Sequence, residues 1–207
     1  MDDERETAWL VVGLGNPGRR YEGTFHNLGR LAAVRFASRQ KGFDGRWAGK
    51  HKGQLCKLRA GEARVFVLLP ETYMNLSGES VSEAAGMYKI GLDRIVVAHD
   101  DLDLEPGFVR IKKGGGDGGH RGVMSCILSF GSPDFIRVKI GIGRDAFMDP
   151  ADYVLSKIRG DLKGTLEDSL DRAADAIEAV LAGGLRKAMN DFNRRQKKAP
   201  ETEGSET

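Results

Sequence analysis

Three short apolar runs constrain this chain more than any other feature: AWLVVGLG (8–15), RIVVAHDDLDL (94–104) and DFIRVKIGIGR (134–144). They are rich in β-branched residues and closed by glycine or by acids, the pattern of strands rather than of buried helices. The first two are nearly continuous in apolar character, as strands covered on both faces are, while the third alternates. Between them the period changes. HNLGRLAAVRFASRQ (26–40) puts Leu28, Leu31 and Val34 on one helical face, and KGQLCKLRA (52–60) and ARVFVLLP (63–70) read as two strands across a Gly-Glu turn, with Pro70 ending the second. Ser77 is placed to cap a helix over 78–90, with Ser80-x-x-Glu83 as a capping box one turn later. GFVRIKK (107–113) alternates like a strand, and GGGDGGHRG (114–122) then breaks regular structure. Beyond Pro150 the stretches DYVLSKI, LKGTLEDSLDRAADAIEAVLAGG and LRKAMNDFNRR are helical, the middle one amphipathic and stopped by Gly183-Gly184. Strands interleaved with helices, without an internal repeat or dividing linker, predict one α/β domain over 8–195. Its sheet is mixed and mostly buried, flanked by helices, and its C-terminal portion is helical. The tails, 1–7 and 196–207, carry too little apolar content to order themselves.

Charge and cysteine usage narrow the setting. The net charge is +2, with −3 in residues 1–7 and −3 in 199–207, so the body between them holds +8. That excess suits a polyanionic partner such as nucleic acid. No apolar run approaches the roughly 20 residues needed to cross a bilayer, and the acidic start MDDERETAW has no secretory apolar segment. Cys56 and Cys126 stand 70 positions apart with no CxxC partner. A disulfide framework or zinc cage is therefore not expected, and a cytoplasmic location is.

The first run leads into Gly13-x-Gly15-x-x-Gly18, the spacing of a dinucleotide-binding turn. That reading needs a helix opening at the third glycine and an acid about 20 residues on. Here Pro17 precedes Gly18, RRYEGTF follows without a helical apolar face, and AVRFAS (33–38) contains no acid. Two of the three confirmations fail, so no nucleotide cofactor is expected.

Polar residues then need their own account. Asn16 and His26 follow the first strand, and taken singly each could be turn or capping chemistry. Asn75 lies in PETYMNLSG, between a strand and a helix, and His99, Asp100 and Asp101 end an apolar strand. His120 and Arg121 close the glycine-rich loop. Open α/β sheets collect ligand-binding groups at such strand ends. The run DDLD would also suit a solvated turn or a divalent-metal cluster. Its acids come from one segment with no evident ligand set elsewhere, so no metal site is expected.

Taken together, VGLGNPGRRY, TFHNLG, PETYMNLSG, VAHDDLDL, GGGDGGHRG and RVKIGIG resemble the bacterial-type peptidyl-tRNA hydrolase family in order and spacing, over residues 9 to about 144. The resemblance implies a monomeric α/β enzyme that cleaves the ester between a peptide and the 3′ end of tRNA, at the CCA end and acceptor stem, without metal or cofactor. It implies that His26 is the catalytic base and Asp100 the carboxylate orienting it. A histidine is the side chain whose ordinary pKa suits that task near neutrality. His99 and Asp101, alternating with Asp100 along the strand, are expected to face elsewhere. The resemblance further implies that Asn16 and Asn75 hold the substrate, that Met74 and Tyr21 line the site, and that Lys112 and Lys139 clamp a tRNA 5′ phosphate.

Three positions depart from the family pattern. Arg121 stands where asparagine is expected after His120, Phe25 where arginine commonly precedes the catalytic histidine, and Met124 where a basic residue is usual. Arginine cannot accept a hydrogen bond, so Arg121 either contacts tRNA phosphate or weakens substrate positioning. Two other classes stay open at this point: a catalytically weak RNA-binding relative, and a nicotinamide enzyme built on the opening glycines.

Overall fold

A computed structural model describes residues 8–194, so the tails expected at 1–7 and 196–207 lie outside the described residues. Seven strands form one mixed sheet: β1 (Ala8–Gly13), β2 (Ala48–Lys50), β3 (Gly53–Ala60), β4 (Ala63–Pro70), β5 (Ile95–Asp101), β6 (Val109–Lys113) and β7 (Ile136–Gly141). Their order is β2-β3-β4-β1-β5-β7-β6. The four central strands, β4, β1, β5 and β7, run parallel, with an antiparallel hairpin at one edge and antiparallel β6 at the other. Every residue of β5 is buried, which is why its sequence reads as a continuous apolar run until the acids at its end.

Helices cover both faces. α1 (Leu28–Arg39), α5 (Gly160–Gly183) and α6 (Leu185–Phe192) lie on one face, where Leu28, Phe36, Leu170 and Ile177 join Val96, Val138 and Ile140 in one apolar cluster. α2 (Ser77–Met87) and α3 (Arg121–Phe130) cover the other, with Val81, Val123 and Cys126 packed among Leu10, Val12 and Val97. α4 (Pro150–Leu155) is short and capped by the Asp149 carboxylate, which accepts from the Ala151 N–H at 2.8 Å. Arg35 and Arg39 of α1 face Glu167, Asp171 and Asp175 of α5 across a network of ion pairs. Edge strand β6 is held from the C-terminal side, where the Asn193 carboxamide exchanges two hydrogen bonds of 2.8 Å with the backbone of Ile111.

The strands and helices predicted from the sequence are present, with shifted ends. The cap expected at Ser77 is not. A 3-10 turn over Met74–Leu76 runs straight into α2, so Ser77 lies buried inside the helix and Leu76 takes the cap position with no side-chain bond. The expected capping box is likewise used otherwise: Ser80 Oγ donates to the His51 carbonyl at 2.5 Å and Glu83 lies 3.1 Å from the His51 ring. The short β2 carries no apolar pattern, being exposed throughout, and escapes the sequence reading for that reason.

Gly13, the first of the opening glycines, serves packing, as does Gly29 in the helix that follows. A Cβ on Gly13 would stand 2.6 Å from the Ala33 Cβ, and one on Gly29 would stand 2.2 Å from the Ala98 carbonyl oxygen. α1 therefore lies directly on β1 and β5, closer than any side chain would allow. It begins at Leu28, ten residues past Gly18, so its N-terminus does not face the glycine turn as a dinucleotide site requires.

Candidate active site

Parallel strands β4, β1 and β5 end on the same side of the sheet, and their following loops meet there in a cleft of about 540 Å³. Asn16 comes from the loop after β1, Met74 and Asn75 from the turn after β4, and Asp100 and Asp101 from the end of β5. His26 arrives on a 3-10 turn, Phe25–Asn27, immediately before α1, and the close approach of Gly29 to Ala98 sets that turn over the end of β5. The departure at Phe25 has a structural use: its buried ring stacks on Tyr153 of α4 at 4.7 Å, tying the turn to the cleft's far wall. Val154 and Leu155 of α4 line that wall.

His26 Nδ1 lies 3.0 Å from both Asp100 carboxylate oxygens, and both side chains are buried. A second imidazole shares the carboxylate, with His120 Nε2 at 3.0 Å from Oδ1. The surroundings fix both tautomers. His120 Nδ1 accepts from the N–H groups of Gly122 and Val123 at 3.1 and 3.2 Å, so its proton sits on Nε2 and is donated to Asp100. An ionised carboxylate can only accept, so His26 places its proton on Nδ1 and presents the Nε2 lone pair. Burial alone would raise the Asp100 pKa, but the His26 and His120 imidazoles hold it well below the ordinary carboxylate range.

His99 lies on the opposite face of the sheet from Asp100, as strand alternation predicts, yet it is not remote. Its ring packs edge-on against His120 at 4.8 Å and its Nδ1 donates to the Asp100 carbonyl at 2.7 Å. Burial first, and His120 second, push its pKa well down, so it is neutral. Asp101 corrects the expectation more strongly, because at the strand end it lines the cleft.

Asn16 is held from two sides. Its backbone exchanges hydrogen bonds with the Asn27 carboxamide at 2.8 and 3.1 Å, and its side-chain Oδ1 accepts from the Met74 N–H at 2.9 Å. The Asn16 side-chain amide, lining the cleft, has no hydrogen-bond acceptor among the described residues. Met74 is buried in the cleft wall, whereas Asn75 and Arg121 are exposed at its mouth. Tyr21 is half-buried in the lining, with the Arg20 guanidinium 4.4 Å above its ring. Lys112 is exposed on β6, and Lys139 on β7 pairs with the Asp101 carboxylate. The cleft thus brings together His26, Asp100, Asn16, Met74, Asn75, Tyr21 and Arg121, while Lys112 and Lys139 stand on the neighbouring sheet edge.

His120, Asp101, Arg20 and the α4 wall are among the lining groups that the sequence reading did not assign. His120 had a visible signal, as the histidine ending the glycine loop. The α4 residues had none, because nothing local tells that a C-terminal helix folds back over strand ends. His26, Asp100 and His120 are also the group, among the described residues, that could hold a metal, with ligand atoms within 4.8 Å of one another. A metal there would have to displace the proton that the two backbone N–H bonds keep on His120 Nε2.

The family described as "Peptidyl-tRNA hydrolase" matches residues 10–201. A peptidyl-tRNA hydrolase of Anaeromyxobacter dehalogenans is 47% identical over 191 residues, covering 92% of this chain and 98% of that protein. One of Carboxydothermus hydrogenoformans is 44% identical, covering 90% and 98%. The crystal structure of peptidyl-tRNA hydrolase from Acinetobacter baumannii superposes with a TM-score of 0.83 at 33% identity, covering 92% of this chain and 97% of that one.

Proposed function

The chain belongs to the peptidyl-tRNA hydrolase family and hydrolyses peptidyl-tRNA, and on that premise we propose how its residues do so. His26 is the general base. Its Nε2 takes a proton from a water molecule that attacks the carbonyl carbon of the ester joining peptide to tRNA, and the resulting imidazolium returns the proton to the departing ribose oxygen. Asp100 fixes the ring's orientation and tautomer and stabilises the imidazolium without itself being protonated. His120 orients Asp100 in turn. The observation that carries this reading is the His26–Asp100 contact of 3.0 Å on the cleft wall, with no protein partner on His26 Nε2 among the described residues. No metal or cofactor enters the scheme.

The amides of Asn16 and Asn75 pair with substrate backbone, which suits an enzyme that accepts peptides of any sequence. Met74 adapts to varied side chains, and Tyr21 supports the cleft opposite them. The CCA end enters past Arg121, and the acceptor stem lies over the β6–β7 edge, where Lys112 and Lys139 meet its 5′ phosphate. The protein acts as a monomer in the cytoplasm and returns tRNA to use. No helix among the described residues is long and apolar enough to cross a membrane.

The test is hydrolysis of N-acetyl-aminoacyl-tRNA in the presence of a chelator, by the parent and by His26→Ala. Turnover by the parent and loss in the variant by at least about 10²-fold support the scheme. Turnover that needs added metal, or survives in the variant, rejects it.

A further inference from the structure

We infer that Arg137 is a positioning residue: from inside the sheet it holds the glycine-rich loop, 114–119, in the shape that makes a wall of the substrate cleft. The inference rests on that cleft receiving the substrate, as read above. Asp117, Gly118 and Gly119 line the cleft, yet the loop has little of its own to keep them there. Gly114, Gly115, Gly118 and Gly119 all sit at positive φ, 70°, 85°, 63° and 78°, and a glycine run has more backbone freedom to lose than any other. The turn bonds within itself. Asp117 accepts from the Gly119 N–H at 2.7 Å through Oδ1, and from the His120 N–H at 3.2 Å through its carbonyl.

Arg137 supplies the anchor. It lies on β7 opposite Lys112 and is 2% exposed. Its guanidinium forks onto two successive carbonyls, Nη1 donating to Gly116 at 2.6 Å and Nη2 to Gly115 at 2.7 Å. Otherwise its surroundings are those of a core residue. The Phe135 ring lies 5.0 Å from the guanidinium carbon, and the buried Nε–H has no hydrogen-bond partner among the described residues. No carboxylate pairs with it among the described residues, and the charge of Asp117 is felt without a hydrogen bond. Burying a charge without a paired counter-ion costs stability, so the use of this arginine lies in the loop and not in the core. Lysine, a point charge, could not span both carbonyls as the planar fork does. His120 is anchored separately, by Asp100 and by the first N–H groups of α3. Loosening the loop therefore leaves His26, Asp100 and His120 in place and removes only the preformed wall.

The test begins with Arg137→Met, which keeps an apolar stem and removes the fork. Gly115 and Gly116 are exposed and can turn their carbonyls to water, so this variant should unfold at no lower temperature than the parent. Backbone ¹⁵N order parameters over residues 115–119 should fall from about 0.85 to below about 0.6. KM for N-acetyl-aminoacyl-tRNA should rise about tenfold, because binding weakens by the fraction of time the wall is formed. The kcat and its pH profile should stay parental. Arg137→Lys keeps the charge without the fork and should give the same KM shift, which serves if the first variant folds poorly. Unchanged order parameters in a folded variant show that Arg137 does not hold the loop. A loosened loop with an unchanged KM shows that the substrate does not use this wall. Either result overturns the proposal, as does a loss confined to kcat or the failure of both variants to fold.

Discussion

At the scale of single residues the site depends on one carboxylate held ionised. Asp100 is buried, which disfavours its charge, and it remains ionised because two imidazole N–H groups point at it. Its folded pKa is depressed, so its contribution to stability is complete above an unfolded-state pKa of about 3.9 and is lost only as the pH falls through the lower folded value. A carbon-detected NMR titration of the Asp100 carboxyl should therefore show no step between pH 4 and 8. A step in that window would mean that the imidazoles do not hold the charge. The sequence made Asp100 and His26 legible because their types and places match a known pattern. It could not show His120 on the same carboxylate, because that contact joins the start of α3 to the end of β5, 20 residues earlier in the chain.

At the scale of elements, α1 is the part that brings His26 to Asp100. It rests on β1 and β5 at Gly13 and Gly29, and the turn bearing His26 leads straight into it. A methyl group on Gly29 would meet the Ala98 carbonyl, which belongs to the strand backbone and cannot yield alone. Gly29→Ala should cost about 1–3 kcal/mol in chemical denaturation, as overpacking does, and should lower kcat more than KM by moving His26 from Asp100. A variant with parental stability and rate would show that α1 has room to spare. The Gly-x-Gly-x-x-Gly pattern was visible from the start, but its purpose was not. Glycine spacing is the same whether a backbone approaches a pyrophosphate or a helix; the missing acid in 33–38 and the helix start at Leu28 separate the two. The displaced cap at Ser77 has a similar origin, since a preceding 3-10 turn leaves no local mark in the residue types.

At the scale of the whole molecule, the parallel strands put the chemistry at one end of the sheet and the basic β6–β7 edge beside it. The excess of positive charge between the acidic tails fits that placement. If tRNA phosphates lie on the edge, log KM should rise linearly with log salt concentration, and Lys112→Ala should lower the slope by about 1 without changing kcat. A slope unaffected by the substitution would place the nucleic acid elsewhere. The central claim is that His26 and Asp100 act as one unit on the ester, and a double-mutant cycle on single-turnover hydrolysis tests it most directly. With saturating enzyme, His26→Ala and Asp100→Asn should each slow cleavage, and the double variant should be no slower than His26→Ala alone, because Asp100 acts only through that ring. Losses that multiply in the double variant would contradict the account.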